Sequence, residues 1–455
     1  MNKRAGRSCM LALLLVLAAC GTRVPHDEAL AIARGGSMDT GGRAGADSPA
    51  PDAAGPGTSP AEQVASPAAA GATPAGGAAG AAGAPASGTS VPAAGPKAPI
   101  VVGEIGDFSG VVGASFAPSR DAFSAWVQSI NAKGGINGHP VKLYSADDGN
   151  DGARDLAIAK DFVENKGAIA LVNFYSAAGG DVPVARYAES KNVPVIGGGT
   201  YSEIFNQSPM MFPQTTGYQT WYKAQPKVLK DGGAKKVAVV YCTEAAVCEN
   251  NAKTFEGYAK QVGLEIVYEG RVSLAQPDFT AECLNAKAAG ADTFIPVVDG
   301  NSVNRLAQSC ARQSFKPKYM VSAPVGNPPP DLEGAIAILP SFPWTLTSGS
   351  PALDEWGQAV RTYAPDALRS SFSSFGWASG KLLQAAAARV SDRPTSQELL
   401  EGLYALHNET LGGLAPALNF VRGKPAPEAD CVYVMRVAGG KWVATNGVQL
   451  TACTR

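Results

Sequence analysis

The strongest constraint on the fold is an alternation that begins at residue 100. Short apolar runs at 100–106, 141–145, 168–174 and 193–197 are separated by amphipathic stretches at 118–131, 153–165 and 181–190. A second series follows, with runs at 237–241, 265–268, 293–298 and 318–322 around stretches at 249–262, 278–289 and 303–314. Parallel strands need a crossover long enough to be a helix, so this alternation predicts parallel sheets with helices on both faces. Two series, separated near residues 214–218, predict an α/β chain of two doubly wound lobes. Ligands of such sheets meet the carboxyl ends of the strands, which makes the gap between facing lobes the expected site. Pro118 is placed near the start of the first helix, where a missing N–H leaves no bond unmade. The Gly-rich turn 133–138 ends that helix.

Ahead of this body the composition changes. Lys3, Arg4 and Arg7 precede an apolar run at 10–17, which is too short for a membrane span of ~20 residues and reads as an export leader. The sequence Leu17-Ala18-Ala19-Cys20-Gly21 resembles a bacterial lipobox. That resemblance implies cleavage before Cys20 and a lipid on its thiol; an ordinary cleaved signal with an incidental cysteine is the alternative. Residues 1–20 are thus read as leader. Residues 21–98, dominated by Ala, Gly, Pro, Ser and Thr, are read as a disordered leash, because such a segment buries too little apolar surface to offset its ordering entropy.

Charge and cysteine usage narrow the function. Lys and Arg total 38 against 39 Asp and Glu, so no basic excess exists to hold nucleic acid. With three His, chemistry built on several histidines is not expected, and neither a metal nor a cofactor is predicted. Two of the eight cysteines fall in the leader and the lipobox. The other six are a close pair, Cys242 and Cys248, a pair flanking one strand, Cys283 and Cys310, and a C-terminal pair, Cys431 and Cys453. An even count in an exported domain favours disulfides, and of the fifteen pairings open to six cysteines the sequential one is the first choice. Metal ligation is the rival, but none of these spacings is CxxC and no His is near.

Several blocks then carry a family resemblance. Phe108-Ser109-Gly110, Ile130-Asn131-Ala132-Lys133-Gly134-Gly135-Ile136-Asn137-Gly138 and Asp147-Asp148-Gly149 resemble the start of the leucine/isoleucine/valine-binding proteins, with Pro194-Val195-Ile196 and Pro277-Asp278-Phe279-Thr280 following in order. These are type I periplasmic binding proteins, the capture subunits of branched-chain-amino-acid-type ABC importers. The resemblance implies two lobes joined by three crossovers, with 99–217 and 342–427 in one lobe and 218–341 and 428–455 in the other. It also implies hinge closure around a small ligand, an ABC permease as partner and a monomer held outside the cytoplasm by its lipid.

Matched position by position, the resemblance places ligand contacts at Ser176, Gly198 and Thr200, whose hydroxyls and backbone N–H groups would receive a carboxylate. Tight-turn glycines with solvated hydroxyls are the plainer reading of the same residues. In the second lobe the pattern is lost: Ala246 and Asp299 stand where the family has tyrosines, and Ala323 stands where it has the glutamate that pairs with an ammonium. Asp299 is expected either to replace that glutamate or to cap the helix after it. Tyr175, Tyr201, Ser115 and Phe116 are candidate walls of the cleft, with ordinary packing the equal alternative for the three aromatics. The ligand is therefore expected to be an amino acid or a related small carboxylate or amide.

Enzymatic motifs fail. Gly376-Trp377-Ala378-Ser379-Gly380-Lys381-Leu382 is one residue short of a phosphate loop and reads as helix core. Asp147-Asp148-Gly149-Asn150-Asp151-Gly152 has the wrong third and twelfth positions for a calcium loop and reads as turn acids capping the next helix. No catalytic residue is expected. The alternatives to transport are a ligand-sensing lipoprotein acting on a membrane receptor or kinase, and a structural lipoprotein whose cleft has lost its ligand.

Overall fold

The computed structural model describes residues 97–447, 449–450 and 452–453. The expected leader, the lipidation at Cys20 and nearly all of the 21–98 leash lie outside these residues.

The first series folds as β1 (Ile100–Gly106), α1 (Gly110–Ala132), β2 (Val141–Asp147), α2 (Gly152–Lys160), β3 (Ala170–Phe174), α3 (Asp181–Lys191), β4 (Val195–Gly198) and β5 (Met211–Phe212). Its strands form one parallel sheet in the order β2-β1-β3-β4-β5. β1, β3 and β4 are almost entirely buried, as strands covered on both faces must be. The chain then crosses to a second series: α4 (Tyr218–Asp231), β6 (Lys236–Cys242), α5 (Ala246–Gln261), β7 (Glu265–Val272), α6 (Thr280–Ala288), β8 (Thr293–Val297), α7 (Gly300–Arg312) and β9 (Lys318–Tyr319). These strands are also parallel, in the order β7-β6-β8-β9.

β10 (Ile336–Leu339) meets the second sheet through a parallel bridge from Met320 to Ile336. The chain next returns to the first sheet as α8 (Pro351–Tyr363), α9 (Ser371–Ala386) and α10 (Ser396–Tyr404), with α9 packed on α1 and β4. It crosses a third time to β11 (Cys431–Ala438), β12 (Lys441–Ala444) and β13 (Ala452–Cys453), which form an antiparallel sheet with β10. The architecture is two α/β lobes joined by three crossovers.

The strands and helices read from the sequence are present, with one informative displacement. α1 begins at Gly110, so Pro118 lies inside the helix and not near its start. An interior proline costs about 3 kcal/mol. Here the buried stripe Val112, Phe116, Phe123, Trp126 and Ile130 holds the helix through it. The glycines of the phosphate-loop-like segment have a packing role: a Cβ on Gly376 would stand 2.0 Å from the Ser119 carbonyl oxygen, and one on Gly380 would stand 2.2 Å from the Trp126 ring. That segment lies within α9, as expected. In the calcium-loop-like turn, Asp151 caps α2 by accepting from the Ala153 N–H at 2.9 Å.

Two of the expected disulfides are formed. Cys242–Cys248 joins the end of β6 to the first turn of α5, and Cys283–Cys310 joins α6 to α7. Cys431 is disulfide-bonded, and strand register sets it opposite Cys453, whose side chain lies outside the described residues.

Candidate functional site

The carboxyl ends of β1, β3 and β4 face those of β6 and β8, and an inner chamber of about 90 Å³ lies between them. Ser115 and Phe116 of α1, Tyr201 after β4 and Phe372 of α9 line one side. Phe116 stacks on Tyr201 with ring centroids 5.4 Å apart and meets the edge of Phe372 at 5.1 Å. Trp221, Val247, Val298, Asp299, Ala323 and the Cys242–Cys248 disulfide line the other. The chamber opens into a larger vestibule of about 500 Å³, where Ser176 and Ala246 lie with Asp181, Glu203 and Lys253. Ala177, Tyr201, Val247 and Asn251 border both spaces and form the neck.

The two sheets are tied across this gap. The side-chain amide of Asn150 donates to the Glu244 carbonyl at 3.2 Å. Beyond β9, the Gly326 N–H donates to the Arg369 carbonyl at 3.0 Å, and the Ser371 N–H donates to the Pro324 carbonyl at 3.2 Å. The structure is therefore one in which the cleft is narrowed by direct contacts.

The structure gathers most of the expected residues but sets three behind the wall. Ser115, Phe116, Tyr201, Asp299 and Ala323 line the chamber, and Ser176 and Ala246 line the vestibule. Gly198 and Thr200 are fully covered, and Gln214 and Thr215 of the first crossover occupy their polar groups. Gln214 accepts from the Gly198 N–H at 3.2 Å and donates to the Gly198 carbonyl at 3.0 Å. The Thr200 hydroxyl pairs with that of Thr215 at 2.7 Å. Gly198 has φ +128, and a Cβ there would lie 2.0 Å from the Phe174 carbonyl oxygen, so close strand approach requires glycine. Tyr175 also sits behind Phe116, its hydroxyl 2.7 Å from that of Ser119. Of the two expectations for Asp299, the structure builds the cap: Oδ1 accepts from the Asn301 and Ser302 N–H groups, and Oδ2 accepts from the Ser302 hydroxyl. The sequence reading missed Gln214; its one signal is a polar pair directly after the apolar Met211-Phe212-Pro213.

Behind the first-sheet wall, acidic groups are buried. Glu104 accepts from Ser145 at 2.6 Å and from Asn173 at 2.8 Å, and burial raises its pKa to about 7 despite these donors. Asp107 and Asp155 are pushed up by burial and then by the neighbouring Asp148. Asp107 accepts from the Ala177 N–H at 2.8 Å, and the Ser176 hydroxyl accepts from the Gly180 N–H at 2.8 Å. These contacts fix the loop that carries Ser176 into the vestibule.

Two facing parallel-sheet lobes, three crossovers and a cleft at the strand ends define a bilobal binding protein. The chain belongs to the periplasmic binding protein family, whose model matches residues 99–441. It is 24% identical over 313 residues, 64% of this chain and 78% of the relative, to "Leu/Ile/Val-binding protein homolog 7" of Brucella abortus (strain 2308). Among solved structures, a branched chain amino acid ABC transporter protein from Thermus thermophilus with bound valine superposes with a TM-score of 0.69 at 16% identity, covering 79% of this chain and 98% of that one. A solute binding protein of an ABC transporter from R. palustris in complex with benzoate gives a TM-score of 0.63 at 15% identity, covering 78% and 97%. The chain is thus a solute-binding protein of the periplasmic binding protein family.

Proposed function

We propose that this chain is the lipid-anchored capture subunit of an ABC importer. Residues 99–217 and 342–427 form one lobe, and 218–341 and 428–455 form the other. A small molecule enters through the vestibule, and hinge closure brings the lobe holding Val247 and Ala323 against Phe116 and Tyr201. The closed form is then presented to a membrane permease, while the lipid on Cys20 and the 21–98 leash keep the protein near it. The observation that carries this reading is a chamber walled by strand ends and helix starts from both sheets. Closure needs a ligand that contacts both walls, since only differential contact shifts the equilibrium between open and closed forms.

The test is a thermal-shift screen of the exported chain, disulfides intact, against amino acids, small aromatic acids, amides and polyols. A ligand at 100 times its Kd adds about 2.7 kcal/mol, which raises the midpoint by a few degrees. A hit that also reduces the scattering radius supports capture with closure. No hit across the panel sinks it. Labelling with radioactive palmitate, compared with Cys20→Ser, tests the anchor: equal labelling of both chains would remove it.

A further inference from the structure

The chamber chemistry names a ligand class, an inference that deepens the solute-binding reading and rests on it. An α-amino acid buried head-first needs donors for its carboxylate and a charged acceptor for its ammonium. The chamber wall offers a carboxylate only neutral donors, the hydroxyls of Ser115, Tyr201 and Ser322 and the Asn251 amide at the neck. The Gly198 N–H and the Thr200 hydroxyl are held by Gln214 and Thr215 behind the aromatic layer. On the facing side the one charged side chain lining the chamber, Asp299, has both oxygens engaged at the start of α7.

What faces the space is Phe116 stacked on Tyr201, the edge of Phe372, and Trp221, whose indole N–H is turned away to the Ile338 carbonyl at 2.7 Å. An anion moved into such a wall leaves water and gains no countercharge, and a cation meets only Asp299, whose charge is already set against the N–H groups at the start of α7, whereas a flat apolar group gains stacking surface. The volume bounds the group: a closed apolar cavity of about 150 Å³ accepts benzene, so this chamber of about 90 Å³ takes a ring only where the ring reaches into its neck. At that neck Asn251 accepts from the Tyr218 hydroxyl at 3.1 Å, which leaves its amide N–H₂ as a neutral donor.

We infer that the inner chamber takes an uncharged, flat apolar group about one aromatic ring in size, with a neutral carbonyl or hydroxyl substituent placed at the Asn251 neck. The ligand is recognised by stacking and one neutral hydrogen bond, not by paired ions.

Isothermal titration of the full chain with benzamide, benzyl alcohol, benzoate, benzylammonium and L-leucine tests this. In each ring probe the polar group lies within two bonds of the ring, so it meets the same Asn251 neck in every case. Benzamide or benzyl alcohol is expected to bind at least ~10-fold more tightly than each of the three ions. An ion that binds as tightly as the better neutral probe overturns the inference and leaves the solute-binding reading standing. Silence from all five probes also overturns it, and the broad screen above then decides the solute-binding reading separately. Ala323→Asp and Ser115→Asp place a carboxylate in opposite walls, so a folding defect in one leaves the other. Each is expected to reverse the order, favouring benzylammonium over benzamide by ~10-fold. An unchanged preference in a variant that retains its melting midpoint overturns the inference.

Discussion

The two faces of the cleft are built on opposite plans. The first-sheet face is rich in polar groups, yet these are turned on one another: Gly198 on Gln214, Thr200 on Thr215, Ser176 on Gly180, and Glu104 on Ser145 and Asn173. The second-sheet face presents alanines, valines and a disulfide, and its one acid caps a helix. Polar residues at strand ends therefore do not by themselves make a polar site. Once buried groups satisfy each other, they stiffen the wall and leave an aromatic surface for the ligand.

The difference predicts unequal responses to damage. The largest belongs to the first face. Gly198→Ala drives a Cβ into the Phe174 carbonyl at a positive φ, and a loss of more than about 3 kcal/mol is expected in urea unfolding. A loss under about 1 kcal/mol would mean that the β3–β4 contact is not rigid.

The second face depends on its staple. The Cys242–Cys248 bridge closes a short loop, with a sequence separation of 6, so replacing both cysteines with serine should remove about 2 kcal/mol. It should also loosen the wall at Ala246 and Val247, seen as faster amide exchange at 243–249 than at 198–202. Equal exchange in the two segments would dissolve the contrast between the faces.

A smaller effect is read through pH. Burial raises the Glu104 pKa from 4.5 to about 7. The folded chain therefore binds the extra proton between these values, and its stability from this group falls as pH rises through that window. Glu104→Gln keeps the shape, with the Ser145 hydroxyl turning to accept. It should flatten the decline of the melting midpoint between pH 4.5 and 7. An unaltered decline would assign the slope to the Asp107 and Asp155 group instead.

The smallest effect tests the tie between the faces. Asn150 has φ +63 and bonds Glu244 across the gap. Asn150→Gly keeps that backbone conformation and removes the bond, so stability should change by less than about 1 kcal/mol. The unliganded chain should nonetheless show a larger scattering radius. An unchanged radius would mean that the contacts of Gly326 and Ser371 alone hold the cleft narrow.

The sequence by itself determined the parallel sheets, because alternating apolar runs and amphipathic stretches admit few other arrangements. Parity pointed to disulfides and to sequential pairing among fifteen possibilities, and the structure decided the Cys242–Cys248 and Cys283–Cys310 bonds. Local patterning cannot see partners that arrive from far away. α1 runs through Pro118 because α9 packs on it from about 250 residues later. Asp299 was legible as a helix cap, since its partners are two and three residues on. The burial of Gly198 and Thr200 was not legible, since it depends on a crossover that brings Gln214 and Thr215 under β4. Whether a polar group faces a ligand or another polar group is decided by which segments the three crossovers bring together, and only the tertiary structure fixes that.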